Sequence, residues 1–165
     1  MHIHPAISSD IPAMRALEAQ AATAAHWPEA EYQLLFAPGS PRLALVVEEE
    51  TARGFLIARQ IGPEWEIENL VVDPGFRRRG LATALLGCFL ELAGQRGGQS
   101  VLLEVRASNG AARSLYARFA FVETGRRRNY YHYPLEDAVL CRLSLPVGPH
   151  PSSSCTGNRA LPKSG

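Results

Sequence analysis

Residues 71–86 place a strand, a tight turn and a basic helix start in immediate succession. The stretch reads Val-Val-Asp-Pro-Gly-Phe-Arg-Arg-Arg-Gly-Leu-Ala-Thr-Ala-Leu-Leu. The turn at Asp73-Pro74-Gly75 consists of residues that end strands, and small residues at Gly80 and Ala82 let a ligand approach the backbone amides of the following helix. Because unpaired N–H groups and the helix dipole favour anions at a helix N-terminus, the segment predicts a pyrophosphate-binding site.

The arginines of this segment also allow a simpler interpretation. Runs such as Arg77-Arg78-Arg79 are common on solvated surfaces, and a basic turn before a helix need not bind a ligand. The segment is not a P-loop, because no Lys-Ser or Lys-Thr pair follows its glycines, and it lacks the GxGxxG spacing of a dinucleotide site. Phosphate binding and a solvated turn therefore both remain open on this segment alone.

The composition places the chain among globular proteins of one domain. Its 165 residues are 46% apolar and carry a formal net charge of +1, which is typical neither of disordered chains nor of dedicated nucleic-acid-binding proteins. From Pro146 onward Pro, Ser and Gly dominate the sequence. We therefore expect one domain over residues 1–145 and a flexible tail over residues 146–165 that lies outside the core.

The cysteines and histidines indicate neither disulfides nor a metal centre. An odd, widely spaced set of cysteines without a CxxC pair favours a reducing compartment; these are Cys88, Cys141 and Cys155. The spacing of His2, His4 and His150 does not suggest a metal site. The start of the chain lacks a signal-peptide pattern, and no apolar run approaches the roughly 20 residues that span a bilayer. We expect a cytoplasmic protein.

Patterning predicts an α/β fold with a mixed sheet. In the first half the predicted elements are a strand within 2–7, a helix from Ser9 or Asp10 to about Ala25, a helix from Pro28 to about Phe36, and strands at 43–49, 54–61 and 65–72. In the second half they are a helix from Gly80 to about Gln95, a strand at 100–106, a helix capped by Ser108 or Asn109, and strands at 121–125 and 138–145. This order is not a regular βαβ alternation.

Several of these segments resemble one protein family. Arg77–Ala82 matches the Arg/Gln-x-x-Gly-x-Gly/Ala signature of the GNAT superfamily of acyl-CoA-dependent N-acetyltransferases. The block Leu-Glu-Val-Arg-Ala-Ser-Asn at 103–109, the helix at 111–121 and Arg-Arg-Asn-Tyr-Tyr at 127–131 resemble its RimI-type branch, the ribosomal-protein N-terminal alanine acetyltransferases. Trp-Pro-Glu at 27–29 does so more weakly. The resemblance covers about residues 3–145.

The resemblance implies a mixed, largely antiparallel central sheet flanked by helices, with a splay between two strands that admits acetyl-CoA. The backbone of the strand before the basic turn would pair with the pantetheine arm, the amides of 78–83 would hold the pyrophosphate, and an asparagine would bind pantetheine. The implied cofactor-binding residues are Leu70, Val71, Val72, Arg77, Arg78, Arg79, Gly80, Leu81, Ala82, Thr83 and Asn109. Asn109 is equally well explained as a helix cap, and one residue can serve both roles through different atoms.

Acetylation of an amine sets the chemical requirements. The ammonium must lose a proton, the thioester carbonyl must be polarised, and the departing thiolate must regain a proton; a partly buried carboxylate and a neutral phenol suit the two proton transfers. The resemblance places the base at Glu104 and the acid at Tyr116, with backbone N–H groups near Val71 for the oxyanion. No metal is required. Glu68 stands on the strand where many acetyltransferases of this superfamily carry their base, so it remains the alternative.

The acceptor would be bound by aromatic residues from two segments. Tyr130 or Tyr131 would close over a peptide end near Trp27 and Tyr32, although the interleaved arginines and tyrosines of 126–133 also fit a solvated loop or RNA contacts. We therefore expect an acetyl-CoA-dependent enzyme that acts on a protein N-terminus, such as that of a ribosomal protein. The alternatives are a small amine or lysine acceptor, and a non-catalytic acyl-CoA-binding module.

Overall fold

The computed structural model describes residues 1–146, which form one sheet with helices on both faces. Its seven strands stand in the order β1-β2-β3-β4-β5-β7-β6. The strands are β1 (His2–Pro5), β2 (Arg42–Glu49), β3 (Thr51–Ile61), β4 (Glu64–Val72), β5 (Ser100–Arg106), β6 (Val122–His132) and β7 (Leu135–Ser144), and the helices are α1 (Ile11–Ala19), α2 (Glu29–Leu34), α3 (Leu81–Gln95) and α4 (Gly110–Arg118).

The sheet is mixed and largely antiparallel, as predicted. The first four strands pair antiparallel in sequence order, β4 pairs parallel to β5, and β5, β7 and β6 pair antiparallel. The single parallel pairing requires a crossover, which the chain makes through α3. The α/β fold class is therefore confirmed.

The two central strands separate halfway along their length. The pairing of β4 with β5 covers Glu64–Ile67 and Ser100–Leu103 only. Beyond these residues β4 remains bonded to β3 through Val72, while β5 remains bonded to β7 through Arg106. The gap thus opens toward the carboxyl ends of both strands, which is the splay that the family resemblance implies.

A bulge in β4 lies at the point of separation. The register with β3 shifts so that Glu68 has no opposite residue between the pairs Ile57–Asn69 and Ala58–Ile67. A bulge bends its strand and reverses the alternation of its side chains. Trp65 and Ile67 accordingly pack on the α3 side of the sheet, whereas Val71, after the bulge, packs with α1 and α2.

Each face of the sheet has its own apolar core. The larger core joins α3 and α4 to the sheet through side chains such as Leu85, Phe89 and Tyr116. The smaller core joins α1 and α2 to β2, β3 and β4 through side chains such as Met14, Tyr32 and Phe55. The apolar residues whose spacing predicts these helices are therefore the ones that the helices bury against the sheet.

Two predicted elements are wrong in extent. Helix α1 ends at Ala19 rather than near Ala25. Asp10 occupies the predicted N-cap position of α1, but its carboxylate accepts a hydrogen bond from the amide of Ile7 at 2.8 Å rather than from an amide of α1. The basic aromatic segment is not a loop, because β6 continues to His132 and pairs with β7. Its arginines suit a strand because β6 is the sheet's edge, where charged side chains stay solvated.

The predicted tail falls almost entirely on residues 147–165, outside the described residues. Within residues 1–146, no helix is long and apolar enough to cross a membrane.

Candidate active site

The gap between β4 and β5 offers two backbone edges to a ligand. Leu70, Val71 and Val72 use one edge to pair with β3, and their opposite edge faces the gap. An extended arm that carries amide groups can pair with such an edge in the way that a strand does. The gap therefore fits the pantetheine arm of acetyl-CoA at the residues that the family resemblance implies.

The basic turn leads to an anion-binding helix start at the end of the gap. Gly80 is the N-terminal cap of α3 with a φ of 83° and no side-chain cap, so the first amides of α3, at Leu81, Ala82 and Thr83, have no partner from their own helix. The positive φ explains why glycine stands at position 80, since a side chain there is strained. The geometry fits the pyrophosphate site predicted from the sequence.

The three arginines of the turn have different surroundings. Arg79 lies 3.3 Å from the Glu49 carboxylate and its guanidinium stacks 4.8 Å above the Phe76 ring, so it ties the turn to β2. Arg77 and Arg78 are exposed, and Arg78 has a φ of 63°. The positive charge available to a diphosphate therefore comes chiefly from Arg77 and Arg78.

Asn109 caps α4. Its Oδ1 accepts a hydrogen bond from the Ala112 amide at 3.1 Å. The cap uses the oxygen of the side-chain amide and leaves its Nδ2 group as a donor toward a ligand. The two interpretations of Asn109 are thus compatible.

Glu104 lies on β5, one residue beyond the last pairing with β4. Val105 and Leu103 on either side point into the α3 core, so the alternation of the strand directs Glu104 to the opposite face. There its Oε1 lies 3.1 Å from Nε of Arg127, and its side chain is 24% exposed. Glu104 lines a cleft of about 260 Å³ together with Glu64, Glu66, Leu102, Leu140 and Arg127. A carboxylate with one exposed cationic partner can exchange that partner for an amine.

Glu68, the alternative base, is held more tightly. Both its oxygens accept hydrogen bonds from Arg42, at 2.7 Å from Nε and 3.2 Å from Nη2, and Arg59 lies 3.6 Å away. The Glu68 side chain is 12% exposed, and its hydrogen bond raises the pKa of the Arg42 guanidinium above its ordinary value. Such a bidentate pair leaves little carboxylate capacity for an incoming ammonium, which favours Glu104 as the base.

Tyr116 lies inside the α3–α4 core. Its ring packs against Phe121 with centroids 5.6 Å apart, and the residue is 7% exposed. Burial, followed by the nearby Cys141 and Tyr131 side chains, raises the pKa of the Tyr116 phenol above its ordinary value. The phenol therefore keeps its proton at neutral pH, which is the state that a general acid needs.

The predicted acceptor residues form two groups. Tyr131 lies under the Arg106 guanidinium at 4.0 Å and against Tyr130 at 5.1 Å, on the side of β5 that carries Glu104. Burial, and then the Glu104 carboxylate, raises the pKa of Tyr131. Tyr130 is 46% exposed. This pair is therefore placed beside the cleft.

Trp27 and Tyr32 form the second group. Tyr32 is fully buried and packs against Trp27 and Phe55, so it supports the site from within rather than lining it. Trp27 is partly exposed and carries the Arg42 guanidinium 5.0 Å from its ring centroid. Of these two residues, only Trp27 is available to an acceptor.

Sequence reasoning misses a buried polar pair beneath this site. Glu18 of α1 is 4% exposed and accepts a hydrogen bond from Nδ2 of Asn69, itself 6% exposed, at 2.7 Å. The signal was present in the helix pattern, because Glu18 shares the buried face of α1 with Ile11 and Met14 at spacings of seven and four residues. A carboxylate on a core-facing stripe needs a polar partner.

Comparisons with known proteins agree with this geometry. The model of the protein family described as "Acetyltransferase (GNAT) family" matches residues 11–121, which is more than half of the chain. The ribosomal protein bS18-alanine N-acetyltransferase of Salmonella typhimurium is 36% identical over 142 residues, covering 85% of this chain and 93% of that protein. The N-alpha-acetyltransferase RimI of Mycobacterium tuberculosis is 42% identical over 79 residues, 48% of each chain.

A solved structure extends the similarity to the whole fold. The crystal structure of the ribosomal-protein-S18-alanine N-acetyltransferase from Escherichia coli matches with a TM-score of 0.76 and 29% identity. The match covers 92% of this chain and 98% of that chain. The fold is therefore shared along nearly the entire length of that protein.

Proposed function

The chain belongs to the acetyltransferase (GNAT) family and is an N-acetyltransferase that uses acetyl-CoA as co-substrate, and from this premise we propose that its acceptor is the α-amine at the N-terminus of a protein, such as a ribosomal protein. Relatives from Salmonella typhimurium and Escherichia coli are named as alanine N-acetyltransferases of ribosomal protein bS18. Bacterial ribosomal proteins are made in the cytoplasm, and we place the reaction there.

The observation that carries this proposal is the position of Glu104. Its carboxylate stands at the mouth of the gap, on the sheet face that carries the cleft and Tyr131, while α3 and α4 cover the other face. A peptide end can enter beside α1 and α2, over the cleft at Glu104, and reach a thioester that lies in the gap. The acceptor and the co-substrate then approach the same point from opposite faces of the sheet.

Glu104 and Tyr116 have complementary roles in the transfer. Acetyl-CoA supplies the activated acetyl group as a thioester. Glu104 takes a proton from the ammonium, directly or through water, and so frees the lone pair of the amine for attack on the carbonyl carbon. The backbone N–H groups on either side of Val71, at Leu70 and Val72, face the gap and would stabilise negative charge on the carbonyl oxygen. Tyr116 returns a proton to the departing thiolate.

Binding of the co-substrate is assigned to the backbone. Leu70, Val71 and Val72 pair with the pantetheine arm, and Asn109 Nδ2 donates to it. The pyrophosphate lies on the first amides of α3, with charge from Arg77 and Arg78. The fit rests on the unpaired strand edge and on the uncapped helix start described above.

Mass spectrometry with a peptide panel tests the acceptor. The purified chain is incubated with acetyl-CoA and with peptides that begin with Ala, Ser or Met, a peptide with a blocked N-terminus and an internal lysine, and small polyamines. We expect an acetyl group on the free α-amine of the Ala peptide. Acetylation of lysine or polyamine alone would keep the transfer chemistry and reject the N-terminal acceptor. Binding of acetyl-CoA without any acetylation would favour a non-catalytic module.

A further inference from the structure

One buried carboxylate has no part in the proposed proton transfers. Glu18 is enclosed by the apolar face of α1 and the core around Tyr32, and it is 4% exposed. The ion pairs found among residues 1–146 do not include Glu18. A buried carboxylate without a cation needs strong hydrogen-bond donors, so its donors identify what it holds in place.

The two oxygens of Glu18 bind one residue next to the proposed pantetheine-binding edge and one residue of the proposed acceptor site. Oε1 accepts from Nδ2 of Asn69 at 2.7 Å, and Oε2 accepts from the main-chain N–H of Trp27 at 3.0 Å. Asn69 directly precedes Leu70, where the strand edge faces the gap. Trp27 belongs to the residues between α1 and α2 and is the exposed member of the acceptor pair. One carboxylate therefore connects the two.

The bulge of β4 reaches Trp27 by a second route. Glu68 holds Arg42 through two hydrogen bonds, and the Arg42 guanidinium lies 5.0 Å from the Trp27 ring centroid. Consecutive residues thus fix the same tryptophan in different ways: Glu68 positions its ring through Arg42, and Asn69 positions its backbone through Glu18. The strand at the bulge is therefore linked to Trp27 by the hydrogen bonds of Glu18 and by the Arg42 guanidinium.

We propose that Glu18 and Asn69 are a positioning pair that couples the pantetheine-binding edge of β4 to the acceptor-binding residue Trp27. The proposal rests on the proposed function for the role of Trp27. Neither residue touches the reacting atoms. Their effect is to hold the two substrate-binding surfaces at a fixed separation, so the pair acts on substrate binding more than on proton transfer.

A reciprocal substitution tests the pair. Asn69→Asp places a second carboxylate against Glu18 at hydrogen-bond distance in buried surroundings. Adding Glu18→Gln restores both bonds with donor and acceptor exchanged, because the Gln amide donates to the new carboxylate while its carbonyl oxygen accepts from Trp27. Glu18→Gln alone is mild, because the Asn69 amide can rotate and accept the new N–H. Glu48→Gln, which removes a carboxylate from β2 beside His4, is the matched control.

The readouts separate positioning from general loss of structure. We measure the KM for the amine that the wild-type chain acetylates, kcat, the Kd for acetyl-CoA by calorimetry, and the folded fraction by circular dichroism. In Asn69→Asp we expect the acceptor KM and the acetyl-CoA Kd to rise about tenfold, with a smaller loss of kcat. In the double variant both constants return to within about threefold of wild type, as expected for directly coupled residues.

The outcomes are decisive in both directions. Recovery of both constants in the double variant supports the pair. Folded Asn69→Asp with unchanged constants, or a double variant no better than Asn69→Asp, overturns it. If Asn69→Asp does not fold, Asn69→Ala removes the donor without repulsion, and an unchanged KM and Kd in that variant also overturn the proposal. If the wild type acetylates no amine, the proposed function fails, but the coupling is still read from the acetyl-CoA Kd.

Discussion

At the scale of single residues, the two candidate bases differ in what their carboxylates already bind. Glu104 has one partner, the half-exposed Arg127, whereas Glu68 gives both oxygens to Arg42 and also faces Arg59. An incoming ammonium competes with one weak surface pair at Glu104. At Glu68 the ammonium would have to break the bidentate ion pair with Arg42. Glu68 is thus better suited to holding strands together than to accepting protons.

Paired substitutions distinguish the two carboxylates. Glu104→Gln removes the proton acceptor and is expected to lower kcat by about 10²–10⁴-fold, with the affinity for acetyl-CoA unchanged. Glu68→Gln weakens a part-buried ion pair, so it is expected to lower the free energy of unfolding by about 1–3 kcal/mol and to change kcat much less. Steady-state kinetics and urea denaturation measure both effects. The reverse pattern would assign the base to Glu68.

Tyr116→Phe tests the general acid with little change in packing. The substitution removes only the hydroxyl, so the contact with Phe121 remains. We expect a lower kcat and an unchanged Kd for acetyl-CoA, measured by stopped assays and calorimetry. Turnover equal to that of the wild-type enzyme would show that the thiolate obtains its proton elsewhere.

The buried tyrosines predict an alkaline titration. The chain has five tyrosines, and burial raises the pKa of Tyr32 and Tyr116 well above the usual 10. Because the folded-state pKa is raised, the resulting stabilisation is complete below the unfolded-state pKa and is lost as pH rises through the folded-state pKa. We expect these two phenols to stay protonated at pH 10–11 in the folded protein. Absorbance of tyrosinate at 295 nm measures this, and ionisation of all five at pH 10–11 without unfolding would contradict it.

At the scale of elements, the start of α3 is set by backbone conformation. Gly80 has a φ of 83°, and a Cβ at this position would meet nothing within 4 Å. The requirement for glycine is therefore conformational rather than steric. The same conformation directs the first amides of α3 out of the helix end, where the pyrophosphate is proposed to bind.

Gly80→Ala separates this requirement from a simple loss of flexibility. Strain in the left-handed region is expected to lower the free energy of unfolding by about 1 kcal/mol and to weaken acetyl-CoA binding. Gly87→Ala, in the middle of the same helix with only ordinary contacts to Phe119, is expected to stabilise the protein by about 0.5–1 kcal/mol. Urea denaturation and calorimetry give both quantities. Equal stability changes in the two variants would contradict the assignment.

At the scale of the whole molecule, the gap leaves the two groups of strands, β1–β4 and β5–β7, with little backbone pairing between them. β1–β4 carry α1 and α2, and β5–β7 carry α4, with only four residue pairs joining β4 to β5. A ligand that pairs with the strand edges facing the gap adds hydrogen bonds between β4 and β5. Binding of acetyl-CoA should therefore stabilise the folded chain as well as supply the acetyl group.

Thermal unfolding with increasing co-substrate tests that expectation. At a concentration one hundred times the Kd, linkage gives about 2.7 kcal/mol, which corresponds to a rise in Tm of roughly 5–10 °C for a chain of this size. CoA without the acetyl group is expected to give most of the rise, because pantetheine and pyrophosphate make the proposed contacts. No shift with either compound would contradict binding in the gap.

Local sequence determined much of the fold and part of the site. Short-range patterns predict most strands and helices, because strand alternation, helical stripes and turn residues act between near neighbours. The basic turn and the asparagine cap could be located for the same reason. Resemblance of short motifs supplied Glu104 and Tyr116.

Only the tertiary structure decided how the carboxylates and aromatic residues are used. The bulge at Glu68 depends on the register with β3, and no local pattern records it. The pairing of Glu68 with Arg42 joins residues 26 positions apart, and that of Glu18 with Asn69 joins residues 51 positions apart. Tyr32 is removed from the acceptor surface by the core that closes over it. Sequence determines which groups are available and where elements begin, whereas packing between distant segments determines which groups remain free to react.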